Sequence, residues 1–459
     1  MKTGLSEQIG PAGKGHRRTT LSRRDFLRLS AFAALPVAGL SVFSGCAVDP
    51  VTGQKQLMLM SREQEVAIDR QQSPFQFSSD YGVTQDRALN DYVAGVGKGM
   101  QSVVHRRDMP YNFQCVNATY INAYAFPGGS IAVTRGILLE LQNEAELAAL
   151  LGHELGHVNA RHTAEQQSKS AISGQVVGVL AAIANTQAPG LGELTQQLGA
   201  LSTGLFLSSY SRANEREADR LGHQYMTSSR YNSRGFVGLM DMLNNLNKGH
   251  SSSVQMLFST HPMSSERLEA AIRRDAGEYA ATRDLPLHRD RYMDNIAALR
   301  SKKEAVKLLQ QGEQHLGKEE YDKAESAFLS AIRKWDQDYT AHVLMAKCML
   351  IRKKADQAVS YADKAKQLYP EESQGHYISG LANLSANKFN QANQDFLRCD
   401  QMLPGNPQVT FYRGYALDKD KQKAPAATLY RNYLEAINYA SNKYSQYAYK
   451  RLKAWGYAN

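Results

Sequence analysis

His153-Glu154-Leu155-Gly156-His157 is the densest piece of chemistry in these 459 residues. Two histidines four apart share one face of a helix, about one turn apart, so both rings can reach one cation. Glu154 stands beside them, where a carboxylate can hold an activated water and take its proton. Imidazoles and carboxylates suit zinc, which needs no redox partner. A hydrolytic zinc site needs a third protein ligand and an open fourth place. Asn214-Glu215-Arg216-Glu217-Ala218-Asp219 offers the ligand, because Glu215 and Asp219 are again four apart on one face. Read so, Glu215 is the third ligand and Asp219 fixes the ring of a zinc histidine from behind. Spacing alone leaves Glu217 in competition with Glu215. In isolation the segment reads equally well as a solvated, charge-laced helix.

The elements that must position these groups follow from pattern. Gly136 onward predicts one helix through His162, and Ala88 to Val104 another, with Leu89, Tyr92, Val93, Val96 and Met100 on one face. Tyr111–Val116 alternates like a strand. Ala123–Phe126 and Ser130–Thr134 are further strands, split by a Pro127-Gly128-Gly129 turn. Residues 171–206 are rich in small and apolar residues, but Gln175, Asn185, Gln187 and Pro189-Gly190 divide them into short helices rather than a membrane span. An intramembrane peptidase is therefore set aside.

From Lys303 the chain repeats. Ala324, Ala358, Ala392 and Ala426 lie 34 residues apart; Gly312, Ala346, Gly380 and Gly414 precede them by twelve, and Phe328, Ala362, Phe396 and Tyr430 follow by four. Pro370 and Pro404 close the second and third units. This period, with small residues at helix crossings, resembles tetratricopeptide repeats. Four units fit, at about 305–338, 339–372, 373–406 and 407–440, with a capping helix over 441–456.

Charge and cysteines narrow the class. The net charge of +10 is divided: seven Lys/Arg against Glu7 and Asp25 in residues 1–45, and 22 basic against 16 acidic residues in 305–459. The middle is left one charge negative, which argues against a nucleic-acid partner. Four cysteines cannot frame a chain of this length, and Cys115, Cys348 and Cys399 read as buried free thiols. Cys46 differs. Ser22-Arg23-Arg24-Asp25-Phe26-Leu27-Arg28 followed by an uncharged run resembles a twin-arginine export signal, and Phe43-Ser44-Gly45-Cys46 resembles a lipobox. Lipidation at Cys46 would anchor the chain to a membrane. Phe43 stands where Leu is usual, which leaves cleavage without lipidation as the alternative. Ala47 after the cysteine, rather than Asp, implies sorting to the outer membrane of a Gram-negative bacterium.

Together, His153–His157, Asn122-Ala123-Tyr124-Ala125-Phe126-Pro127-Gly128-Gly129, Glu215 with Asp219, Val158–His162, Thr260-His261-Pro262 and Arg267 resemble the M48 family of zinc metallopeptidases over roughly residues 50–275. The resemblance implies a mainly α fold with a small β-sheet, a zincin-type domain followed by an α-solenoid, and one zinc ion per chain held by His153, His157 and Glu215, with Glu154 as base. It settles Glu215 over Glu217 and puts Asp219 behind a ligand. It also implies that Gly128, Gly129, Ser130, Ile131 and Ala132 form the sheet edge along which an extended peptide lies. His261 would either fill the fourth zinc position and keep the enzyme latent, or stabilise the oxyanion; Arg267 would hold that loop or face the developing charge. The expected order is a signal over 1–45, a tether and lead-in helix over 46–80, the peptidase over 81–300 and the repeats over 301–459. Pro50-Val51-Thr52-Gly53 and the repeat tail resemble periplasmic members acting in outer-membrane protein quality control. The expectation is thus an enzyme cleaving misfolded or stalled envelope proteins. Its repeats would recruit partners such as the outer-membrane assembly machinery through their concave face. A periplasmic scaffold or chaperone is the competing reading.

Overall fold

The structure is a computed structural model, and it describes residues 46–48, 50–53, 55–172, 209–248 and 252–458. The export signal, the Cys46 side chain and the short helices expected over 171–206 lie outside the described residues, apart from 171 and 172, which end a helix. Strands β1 (Cys46–Val48) and β2 (Lys55–Leu57) pair antiparallel and lead into the helix Arg62–Ser79. Ser61 starts that helix, its Oγ accepting from Gln64 N–H while the Gln64 side chain accepts from Ser61 N–H.

Asp86 caps the next helix, Arg87–Gly99, which buries Leu89, Val93 and Val96 at helical spacing. It stops short of Val104: the chain turns at Met100, so the helix is a turn shorter than its apolar pattern. Three strands follow, β3 (Asn112–Val116), β4 (Ala123–Ala125) and β5 (Ser130–Thr134). Gly129 makes the β4–β5 turn at φ +108°, open only to glycine at low cost.

The sheet order β3-β5-β4 corrects one expectation. β5 is the central strand, parallel to β3 and antiparallel to β4. Ser130, Ile131 and Ala132 are bonded on both sides, and Gly128 packs against Val66 and Asp69 of the lead-in helix, so none of this segment forms an open edge. The edge beside the motif helix is β4. Phe126 N–H donates to Ser130 O and Thr134 N–H to Asn122 O. Alternation in an antiparallel ladder therefore pairs Tyr124 with Ala132 and turns the Ala123 and Ala125 peptides outward.

The single helix expected from Gly136 to His162 is three. Arg135–Leu138 is one short turn; Asn143 restarts the chain as cap of Glu144–Asn159; and Arg161, at φ +57°, ends that helix before His162–Ile172 begins. The left-handed Arg161 is held by tertiary contacts, Nε to Glu65 Oε1 at 3.0 Å and Nη2 to Met60 O at 2.6 Å, which no local pattern encodes.

Helical hairpins run from Lys303 to Ala436 at the expected 34-residue period, and Lys443–Ala454 caps them. Phe328, Phe396 and Tyr430 pack onto Gly312, Gly380 and Gly414, where a Cβ would strike the ring. This is the tetratricopeptide arrangement. Its inner surface is already covered. The helix Tyr339–Ile351 is buried along its whole length, and Ser373–Ser385 nearly so. Tyr81, Val116, Ala118, Tyr124, Phe126 and Ala132 join the repeats in one apolar cluster. Phe113, Cys115, Ala123, Ala125, Ile131 and Val133 point the other way, into the helices of the preceding body. The sheet is a wall shared by both bodies, and a concave face open to partners along these repeats is not what the structure has.

Candidate metal centre

The motif helix Glu144–Asn159 begins where Asn143 Oδ1 accepts from Glu146 N–H at 3.0 Å, and all its residues are buried. It crosses the helix Arg212–Ser228, which Ser211 starts with a reciprocal cap to Asn214. The crossing is backbone on backbone. A Cβ on Gly152 would lie 2.8 Å from Gly222 O, one on Gly156 2.8 Å from Ala218 O, and one on Gly222 2.6 Å from His153 N. Small residues four apart on each helix permit this approach, and it carries Glu215 and Asp219 up to the two histidines. The sequence reading took the carboxylates and missed Gly152/Gly156 and Ala218/Gly222, whose spacing was the available signal.

Four side chains converge. His153 Nε2 lies 3.1 Å from His157 Nε2, and Glu215 Oε1 lies 3.2 Å from His157 Nε2. Glu215 Oε2 is 3.6 Å from His153 Nε2. His261 Nδ1 completes the group at 3.1 Å from Glu215 Oε1 and 3.4 Å from His153 Nε2. All four residues are buried, and the donor atoms lie within 4.8 Å of one another. Imidazole nitrogens turned on one another at this distance need a proton or a cation between them, so the donor set fits a metal ion. Burial holds His157 well below the usual histidine range, leaving the neutral form that ligates. Burial pushes Glu215 up, but His261, Arg267 and His153 outweigh it and hold the carboxylate well below its usual range.

Glu154 faces the same space. Burial raises its carboxyl above the usual range, His261 and His153 opposing. Its Oε1 is 3.9 Å from His261 Nε2, and its buried Oε2 has no partner. A carboxylate so placed is a competent proton acceptor.

Asp219 Oδ1 lies 3.0 Å from His153 Nδ1, off the line a good hydrogen bond needs, and Arg267 grips Asp219 with Nε and Nη2, both at 2.7 Å. Arg267 Nη1 donates to Pro262 O at 3.0 Å and lies 2.7 Å from Glu215 Oε2. Every guanidinium nitrogen is thus committed to Asp219, Glu215 or the loop behind His261. Of the two roles expected of Arg267, holding the loop is the one these contacts serve, and it acts as a positioning residue. Glu217 points away from the centre and meets His162.

Two neighbours were missed from sequence. The Tyr210 ring stacks on His157 with centroids 3.8 Å apart and 21° between planes, and its N–H donates to Thr260 O beside His261. His162 Nδ1 lies 2.9 Å from His157 Nδ1. A lone tyrosine carries no sequence signal; His162 stood inside a quoted motif without a role.

Comparison with known proteins matches residues 87–275 to the model of peptidase family M48. A Yersinia pestis protein described as a beta-barrel assembly-enhancing protease is 32% identical over 196 residues, 41% of this chain and 39% of that protein. The Escherichia coli K12 metalloprotease YcaL is 32% identical over 161 residues, 35% of this chain and 60% of that one. The chain thus matches about two fifths of the length of the first relative and three fifths of the second. A solved structure titled as YrrB, a TPR protein with an unusual peptide-binding site, aligns with 44% of this chain and 93% of its own at 15% identity, TM-score 0.29. With the HExxH helix, the Glu215 helix and the repeat hairpins in place, this chain carries a peptidase family M48 domain joined to tetratricopeptide repeats.

Proposed function

We propose that the chain is a zinc endopeptidase of the bacterial cell envelope held latent by His261. The observation that carries this is the convergence of His153, His157, Glu215 and His261 with Glu154 alongside. Zinc ligands about 2.0–2.1 Å from the ion stand about 3.4 Å apart in a tetrahedron. Five donor separations of 3.1–3.6 Å, in a set whose members all lie within 4.8 Å of one another, suit one ion per chain. Bound there, zinc supplies Lewis acidity that acidifies a water and polarises a peptide carbonyl. Glu154 takes the proton and returns it to the leaving amine. Open catalytic sites keep one place free of protein, and His261 fills that place here. Opening requires the His261 loop to withdraw from the grip of Arg267 on Pro262.

The peptide substrate adds as a strand to β4, whose outward Ala123 and Ala125 peptides are supported as the docking ladder by the pairing parity above. Support for envelope proteins as substrates comes from the twin-arginine-like pattern at Ser22–Arg28, the lipobox-like cysteine Cys46 and the likeness to a beta-barrel assembly-enhancing protease. The same features favour export by the twin-arginine route and a lipid anchor in the outer membrane. Among the described residues, no helix is long and apolar enough to cross a membrane. With the inner face of the repeats covered, partners such as assembly machinery are left their outer surfaces.

Four protein donors are also what a structural zinc site has, so a binding module is the second reading. Casein cleavage separates them. The His261→Ala chain is expected to cleave, the His261→Ala/Glu154→Gln chain not, and the unmodified chain slowly. Stoichiometric zinc without cleavage in any variant would favour the binding module; absence of zinc from folded protein would sink the site.

A further inference from the structure

The two motif histidines are steadied differently. His153 turns its far nitrogen to Asp219. His157 turns its own to another imidazole, His162 Nδ1 at 2.9 Å, and His162 Nε2 in turn lies 3.3 Å from Glu217 Oε2. His162 is 2% exposed, so water does not compete for its contact with His157, while the Glu217 side chain, 29% exposed, ends the chain at the surface.

We propose that His162 and Glu217 form a relay that fixes the tautomer and orientation of His157 as a metal ligand. This rests on the zinc reading above. Proton placement is forced from the centre outward. A ligating His157 Nε2 carries no proton, so its proton sits on Nδ1 and is donated. The acceptor is His162 Nδ1, which therefore carries none. His162 is then protonated on Nε2, the nitrogen facing the Glu217 carboxylate. Each atom in the chain has one role, and the terminal acceptor is an anion.

The backbone shows that this meeting is built. Residues 157 and 162 are five apart and would not face each other on a continuous helix. The helix breaks at Arg161, in the left-handed region at φ +57°, and the break returns His162 to the His157 ring. A non-glycine residue is uncommon there and persists only where the surroundings hold it. Here Glu65 and Met60 hold the Arg161 side chain. Strain of this kind gathers where a site depends on it. Next to it, Thr163 Oγ1 lies 3.0 Å from the hydroxyl of Tyr210, the ring stacked on His157.

The test measures zinc affinity of the full chain by competition with a chelator, so it does not depend on cleavage. Loss of an outer partner typically weakens metal binding about 10–100-fold. His162→Leu is expected in that range. His162→Asn, whose amide oxygen can stand where Nδ1 accepts, is expected to recover most of the loss. Glu217→Ala is expected to weaken binding only a few-fold. Equal losses for Leu and Asn would reduce His162 to packing and overturn the relay, as would wild-type affinity in His162→Leu. Should the variants fail to fold, long-range 15N–1H spectra of the zinc-loaded wild-type rings decide: His162 must be the Nε2–H tautomer, and a proton on its Nδ1 overturns the proposal. A folded wild type that binds no zinc refutes the site itself, a different result.

Discussion

The two faces of the central sheet are built from different materials. Toward the motif helix it presents Phe113, Cys115, Ala123, Ala125, Ile131 and Val133, all apolar and buried. Toward the repeats it presents apolar residues threaded with charge. Tyr124 Oη donates to Asp80 Oδ2 at 2.5 Å and Tyr120 Oη to Asp80 Oδ1 at 2.9 Å. Lys347 from repeat two reaches Tyr81, while Arg135 forks Asp338 at 3.0 and 2.9 Å. Apolar packing tolerates small slips, whereas a buried charge is satisfied in one arrangement only. The dry face thus supplies cohesion for the catalytic body, and the charged face fixes where the array sits on it. Tyr124 belongs to β4, so the strand nearest the motif helix is also tied to the docking network.

The largest effect expected from breaking this contrast is at Arg135. It is 2% exposed, and its loss leaves Asp338, 3% exposed, with only the Thr340 N–H at 3.2 Å. Stranding one partner of a buried pair costs about 3–5 kcal/mol. Arg135→Ala should lose that much in denaturant unfolding. The double change Arg135→Leu/Asp338→Asn should recover most of it, since Asn keeps the cap on the helix Tyr339–Ile351. A loss under about 1 kcal/mol for Arg135→Ala would remove the charged face from the account.

The second effect is one of pH. Burial raises the Asp80 carboxyl to about 6, with Tyr124, Gln76 and Tyr120 pulling the other way. The folded chain therefore keeps this proton to higher pH than the unfolded chain, which releases it near 4. The stabilisation is complete below about pH 4 and is lost as pH rises to about 6, on the order of 2–3 kcal/mol. Asp80→Asn cannot titrate, so its stability relative to wild type should rise by that amount between pH 4 and 7. A constant difference across that range would contradict the burial of this charge.

The residues of the candidate metal centre are legible in sequence and this docking face is hidden, for a physical reason. His153, His157 and Glu215 lie at helical spacings, and spacing survives without tertiary structure. Strand order does not: the parallel β3–β5 pairing crosses over β4, so Ser130–Ala132 looked like an edge until Ala123–Ala125 took that place. The break at Arg161 depends on Glu65, about a hundred residues earlier, and a local pattern carries no such contact. Nothing in the 34-residue pattern marks Lys347 or Asp338 as interior; the covering of the array's inner side makes them so. The 34-residue period, by contrast, is visible in the sequence, because every hairpin repeats the same local packing.

Tyr124→Phe sharpens the comparison on the charged side. It removes one bond accepted by Asp80, and hydrogen bonds to charged groups contribute about 1.5–3 kcal/mol. The cost should approach that range at pH 8, where Asp80 is ionised, and fall to about 1 kcal/mol at pH 4, where it is neutral. The midpoint of the Asp80 transition should also move above 6, since the lost bond was one that lowered it.

The smallest effect belongs to the dry face. Ile131, the second residue of β5, is fully buried against the helices of the M48-like body. Ile131→Val removes one methyl group and should cost about 0.5–1.5 kcal/mol. Burial pushes the Cys115 thiol on that face up to about 12, far above this range, so the cost should be the same at pH 4 and pH 8. A pH-dependent loss at Ile131 would mean that the two faces are coupled through the backbone of β5, and that the repeats act on the catalytic side of the sheet as well as on their own.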